Sequence, residues 1–131
     1  MAGSRPLVLI VDDDPDVLET VKAMLANEPY EVHACASARE AATAIERAVP
    51  DFMIIDLMME ELDAGADLVR KIRGKGITAP AYILSTIGDE LRRNTDNETL
   101  GTDGVLEKPL QKERLLTLLE ARLRGTPTGR A

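Results

Sequence analysis

Two stretches of unbroken apolar residues, Leu7-Val8-Leu9-Ile10-Val11 and Phe52-Met53-Ile54-Ile55, each run directly into acid: the first into Asp12-Asp13-Asp14, the second into Asp56. An apolar run without polar alternation reads as a strand covered on both faces, and such strands belong to parallel sheets. A parallel sheet needs long crossovers, normally helices, between its strands. These two runs therefore constrain the fold more than any other feature: the chain must alternate strand and helix. They also pose a chemical question, because a strand buried on both sides has no place for a charge. Open α/β sheets bind their ligands at the carboxyl ends of the strands. Taken alone, an aspartate that merely begins a loop is the plain alternative in either case.

The remaining chain supplies the crossovers. Asp14-Pro15 reads as an N-cap with proline at the first helical position, and Val17, Leu18, Val21, Met24 and Leu25 fall on one helical face. Asn27-Glu28-Pro29 stops that helix. Glu31 to Ala36 is a weaker strand with Val32 and Ala34 on one side. Ser37-Ala38-Arg39-Glu40 matches a capping box, opening a helix through Ala41, Ala42, Ile45, Ala48 and Val49 that Pro50 closes. Beyond Asp56 come an acidic loop, Glu60-Glu61-Leu62-Asp63, and a helix with Leu68, Val69 and Ile72 inward and Arg70, Lys71 and Arg73 outward. Gly74 and Gly76 end it. Ala81-Tyr82-Ile83-Leu84 is a fourth strand, finishing at Ser85-Thr86. Gly88 to Gly101 is poor in helix formers and predicts a short or mobile helix. Val105-Leu106 is a short fifth strand running into Glu107-Lys108-Pro109, and a last helix carries Leu115, Leu116, Leu119 and Leu123 on one face. This pattern predicts a doubly wound, five-stranded parallel sheet. Right-handed crossovers and the common strand order 2-1-3-4-5 then bring the ends of strands one and three together. Asp12, Asp13 and Asp56 converge.

With 131 residues the chain suits one domain around one core. Residues 1–6 read as an N-terminal extension, 7–124 as the domain and 125–131 as a flexible tail of linker-like composition. Aromatic content of 2% requires an aliphatic core. A net charge of −7 argues against direct nucleic-acid binding, which needs clustered Lys and Arg, and suits a divalent cation. The single cysteine, Cys35, allows no internal disulfide, in keeping with a reducing cytoplasm. Met1 to Pro6 is polar and the first apolar stretch is only Leu7 to Val11, which does not resemble a signal peptide. No segment approaches the length of a membrane span.

Three carboxylates gathered at one sheet edge repel one another unless a cation sits among them. Oxygen ligands without His or Cys favour Mg2+, with Mn2+ as the alternative, over zinc. Mg2+ takes one or two carboxylates and leaves coordination open for a phosphoryl group. Aspartate is itself a phosphoryl acceptor. Asp56, alone at the end of the central strand, is the better nucleophile, and the adjacent Asp12 and Asp13 suit the metal. Ser85 and Lys108, at the ends of strands four and five, supply a hydroxyl and an ammonium for phosphoryl oxygens. Phosphoryl transfer needs chiefly positioning and charge neutralisation. Each residue singly could be structural: a helix cap, a turn serine, a solvated lysine. Their common position at strand ends is what sets them apart from such roles.

Val8-Leu9-Ile10-Val11-Asp12-Asp13-Asp14-Pro15, Asp51 through Met59, Ile83-Leu84-Ser85 and Leu106-Glu107-Lys108-Pro109 together make the chain resemble a receiver domain of the two-component response-regulator family, from about Leu7 to Leu123. The resemblance implies a flavodoxin-like (βα)5 fold. It implies that Asp56 takes a phosphoryl group from a phosphohistidine on a sensor histidine kinase or histidine phosphotransfer protein. Asp13 would ligate Mg2+ directly, Asp12 mostly through water and Met58 through its backbone carbonyl. Ser85 and Lys108 would bind phosphoryl oxygens, and the Lys108-Pro109 bond would be cis. Thr86, Val105 and Pro109 fall in the region where such domains switch. The protein would act in the cytoplasm through a downstream protein target, as a monomer or a weak phosphorylation-dependent dimer, and as a signalling phosphoacceptor rather than a turnover enzyme. With only Gly125 to Ala131 beyond the domain, it either acts alone or is a module of a longer protein.

Departures from the family pattern carry their own expectations. Glu60 stands where Pro is usual and Ala64 where Gly is common, so the loop beside the site follows a different path. Thr86 replaces a smaller residue, and Val105 replaces the usual switch aromatic, which removes the usual form of readout. Met58 and Ile87, apolar where relatives often orient the hydrolytic water, predict a long-lived phosphoryl-Asp56. Glu60, Thr86 and Val105 leave a rival open: a pseudo-receiver scaffold that signals without phosphate. A phosphohydrolase of the haloacid-dehalogenase kind would need a second Asp where Met58 stands. His33 reads as a surface residue, Cys35 as a small buried apolar group, and Arg92-Arg93 and the cationic face from Arg70 to Lys75 as solvated.

Overall fold

In a computed structural model, residues 5–56, 64–85 and 103–123 are described. Their elements are β1 (Leu7–Val11), α1 (Pro15–Leu25), β2 (Glu31–Cys35), α2 (Ala38–Arg47), β3 (Phe52–Asp56), α3 (Ala64–Gly74), β4 (Ala81–Ser85), β5 (Gly104–Glu107) and α4 (Lys112–Leu123). The strands form one five-stranded sheet, all neighbours parallel, in the order β2-β1-β3-β4-β5. This is the expected flavodoxin-like, doubly wound α/β architecture. The expected helix between Gly88 and Gly101, the 1–6 extension beyond Arg5 and Pro6, and the 125–131 tail lie outside the described residues.

The unbroken apolar runs are explained by two cores, one on each face of the sheet. Leu9, Val11, Met53, Ile55, Ala81 and Ile83 face Ala41, Ile45, Leu68, Val69 and Ile72 of α2 and α3. Val8, Ile10, Phe52, Ile54, Tyr82, Leu84 and Leu106 face Leu18, Val21, Leu25, Leu115 and Leu119 of α1 and α4. Alternate residues of each strand go to opposite layers, so both sets must be apolar. β3, in the middle, is buried along its whole length, Asp56 included.

Both expected helix starts are present. Asp14 caps α1, its Oδ1 accepting from Asp16 N–H at 2.9 Å, with Pro15 at N1. Ser37 caps α2, its Oγ accepting from Glu40 N–H at 3.1 Å. Glu40 reaches back one residue further than the usual capping box, to Ala36 N–H at 2.8 Å. Such a cap contributes about 1 kcal/mol.

Two readings need correction. α2 ends at Arg47 rather than continuing through Val49, because Ala48 turns extended (φ −153°, ψ 124°) ahead of Pro50 and leaves Val49 43% exposed. Val49, the residue before Pro50, is disfavoured in the helical region, and the helix is already closed at Ala48 one residue earlier. Arg73 is not part of a solvated face. Its guanidinium folds back to donate to Ile77 O (2.9 Å) and Ala79 O (2.8 Å), closing the turn after α3 where Gly76 takes φ +85°.

Candidate functional site

The carboxyl ends of β1 and β3 lie side by side, Val11 opposite Ile55 in register, so the residues that follow them meet. Asp12 is fully buried, Asp56 is buried, and Asp13 is exposed. Oxygen atoms of the three lie within 4.8 Å of one another. Asp12 is held by its backbone, which donates to Cys35 O at 3.1 Å, and by Oδ1, which accepts from Asp14 N–H at 2.9 Å. Asp12 Oδ2 accepts no hydrogen bond of acceptable geometry among the described residues, although it is buried.

Lys108 follows β5. Its backbone N–H donates to Ser85 O at 2.8 Å, and its Nζ lies 3.2 Å from Asp12 Oδ2 and 3.6 Å from Asp56 Oδ2. Partial burial alone lowers the pKa of this ammonium, but the charges of Asp56 and Asp12 outweigh it and leave Lys108 above its ordinary 10.5. It is therefore a fixed positive charge at neutral pH. Ser85, fully buried, ends β4 one residue beyond Leu84, which pairs with Asp56. The Lys108–Pro109 peptide bond is cis. Val105 sits in β5 opposite Ile83. Beside Lys108, a groove of about 440 Å3 runs between α1 and the turn after β5, lined chiefly by Val17, Thr20, Leu84, Lys108, Pro109 and Leu110.

Five of the residues singled out from sequence, Asp12, Asp13, Asp56, Ser85 and Lys108, thus stand at carboxyl strand ends of one sheet. Met58, Glu60, Thr86 and Ile87 lie outside the described residues. The donor set suits a hard divalent cation: three carboxylates whose oxygens lie close together, with no His or Cys in the group. Charge balance points the same way, since one ammonium faces three acids among the described residues of the cluster. Cys35 is buried, with burial and Glu40 pushing its thiol up to about 11, so it is an inert core group as read from the sequence. Sequence reasoning missed a second cluster, at the opposite end of the sheet, built on Asp103. Its only sequence signal is an acid standing immediately before a strand.

A parallel sheet of this order with an acid cluster at the switch point and a lysine across from it defines a doubly wound α/β domain with a candidate cation site at its carboxyl edge. The response-regulator receiver-domain family model matches residues 8–120, and the chain belongs to that family. It is 32% identical over 123 residues to the transcriptional regulatory protein TrcR of Mycobacterium tuberculosis, covering 94% of this chain and 46% of that protein. It is 34% identical over 119 residues to the response regulator MprA of Mycolicibacterium vanbaalenii, covering 91% of this chain and 51% of that protein. The chain therefore spans about half the length of these curated relatives. Among solved structures, the chemotaxis protein CheY4 of Vibrio cholerae superposes with a TM-score of 0.81 at 29% identity, over 92% of this chain and all of that one. A two-component response regulator from Clostridium difficile gives 0.79 at 26% identity, over 92% and 98%. No helix among the described residues is long and apolar enough to cross a membrane.

Proposed function

We propose that this receiver domain accepts a phosphoryl group on Asp56 from a phosphohistidine of a sensor histidine kinase or histidine phosphotransfer protein. An Asp56 carboxylate oxygen attacks phosphorus as the P–N bond to the donor breaks, and the departing imidazole keeps the electron pair and takes a proton from solvent. Asp12, Asp13, Asp56 and the Met58 carbonyl are the residues that would hold Mg2+, or Mn2+ in its place. The bound ion supplies positive charge against the phosphoryl oxygens. Lys108 pairs with one of those oxygens and the Ser85 hydroxyl donates to another.

The single observation that carries this reading is the gathering of Asp12, Asp13 and Asp56 oxygens within 4.8 Å, with the Lys108 ammonium 3.2 and 3.6 Å from two of them. Output follows from altered protein contacts with a downstream target, by a monomer or a weak phosphorylation-dependent dimer in the cytoplasm. Thr86, Val105 and Pro109 form the switch region. A pseudo-receiver scaffold is the second reading, favoured by Val105, which lacks the ring that usually reports phosphorylation. Incubation with acetyl phosphate and Mg2+, followed by intact mass, separates the two. One added phosphoryl group in the wild type and none in Asp56→Asn supports the phosphoacceptor; no addition in either supports the scaffold. In the same samples the group should persist well beyond seconds at neutral pH, since Met58 and Ile87 offer hydrolytic water no hydrogen bond.

A further inference from the structure

Asp12, fully buried, is gripped at two points: its N–H donates to Cys35 O at 3.1 Å, and its Oδ1 accepts from Asp14 N–H at 2.9 Å. With Oδ1 engaged in this way, Oδ2 is the oxygen that faces Lys108 Nζ, 3.2 Å away. The last torsion of an aspartate side chain is soft, and the like charges of Asp13 and Asp56 favour turning the carboxylate away from them. The bond from Asp14 N–H opposes that turn.

That N–H belongs to the N-cap of α1. Asp14 Oδ1 accepts from Asp16 N–H at 2.9 Å, and Asp14 O accepts from Val17 and Leu18 N–H at 3.1 and 3.3 Å. These bonds fix Asp14 between loop and helix at φ −93° and ψ 112°. α2 begins differently. Its third residue, Glu40, sends a carboxylate back past the cap to Ala36 N–H at 2.8 Å, close to the usual capping box. The third residue of α1 is Val17, which has no acceptor to send back. The N-cap amide of α1 is taken by Asp12 instead, and the aspartates form a chain, Asp12 on Asp14 and Asp14 on Asp16.

Resting on the reading of the acid cluster as a cation site, we propose that Asp14 is a positioning residue for Mg2+ binding: by capping α1 it keeps its own N–H on Asp12 Oδ1 and so keeps the Asp12 carboxylate turned into the cluster. Asp14 is exposed and is not one of the three clustered acids. It acts through its shape as a cap and not through its charge. The charge of a nearby carboxylate would also favour a cation, so cap and charge have to be separated by variants that keep one and lose the other.

Calorimetric titration of the full chain with MgCl2, in about 0.15 M salt to screen exposed charges, tests the role. Asp14→Ala should bind Mg2+ roughly fivefold more weakly than the wild type, the worth of one N-cap expressed as a ratio. Asp14→Asn, a cap without the charge, should stay within about twofold of the wild type. Asp14→Glu, the charge on a side chain outside the strong N-caps, should fall with Asp14→Ala. Ser37→Ala removes the matching cap of α2; it should lower the urea midpoint about as much as Asp14→Ala and leave Mg2+ affinity unchanged. Equal losses in Asp14→Asn and Asp14→Ala with Asp14→Glu unaffected make charge the cause and overturn the positioning role. Undiminished binding in Asp14→Ala, or a matching loss in Ser37→Ala, overturns it as well. No Mg2+ binding by the wild type overturns the cation reading of the cluster and the role with it.

Discussion

The two ends of the sheet hold aspartates in opposite circumstances. At the amino-terminal ends of the strands, carboxylates meet donors. Asp51 Oδ2 accepts from Leu7 N–H at 2.7 Å and joins β3 to β1, while Asp103 meets Ala81 N–H and two guanidinium groups. At the carboxyl ends, Asp12, Asp13 and Asp56 crowd one another, with the Lys108 ammonium 3.2 and 3.6 Å from two of the three. Gathering like charges costs free energy, and one ammonium offsets only part of the charge of three carboxylates. The comparison teaches how to tell a fastener from a site. An aspartate surrounded by N–H groups holds strands together; aspartates set against aspartates make a candidate site for a cation.

The sharpest way to break this distinction is at the fastened end. Asp103→Ala leaves the buried Ala81 N–H without its side-chain acceptor and two arginines without their anion, and should cost about 2 kcal/mol in urea unfolding. A loss near zero would mean that Asp103 is no fastener. At the crowded end the effect should be on metal rather than on folding. Lys108→Met removes the positive charge nearest the acids and should raise Mg2+ affinity by about tenfold at low salt, measured by calorimetry. Weaker binding in that variant would show that the ammonium helps to build the metal site instead of competing with it.

The smallest effect expected is in pH dependence. The folded state holds the Lys108 ammonium above its ordinary 10.5, so the stability it contributes is complete below 10.5 and is lost as pH rises through the raised value. In metal-free buffer the stability gap between wild type and Lys108→Met should therefore stay level from neutral pH to 10.5 and narrow above it. A gap that narrows already near neutrality would remove the pairing of Lys108 with Asp12 and Asp56.

Much of the frame was legible in the chain because its signals are local. Leu7 to Val11 and Phe52 to Ile55 could only be strands covered on both faces, and Asp14-Pro15 and Ser37 to Glu40 carry helix starts within four residues. The identities of the site residues followed, since a carboxylate at the end of a strand buried on both faces adds nothing to the apolar core. Arg73 was misread because its partners, the carbonyls of Ile77 and Ala79, are backbone atoms whose direction no residue type announces. Asp103 was passed over because its meaning depends on Ala81 and Arg122, remote in sequence and adjacent only in the fold.

By itself the sequence determined which segments are strands and helices, where they start, and which acids stand at strand ends, because periodicity and capping act over a few residues. Tertiary structure alone decided that Asp12, Asp13 and Asp56 close to within 4.8 Å, that Lys108 reaches two of them, and that Asp103 becomes a fastener. Those outcomes depend on strand register and helix placement, which are settled by packing two apolar layers against one sheet rather than by any local run of residues.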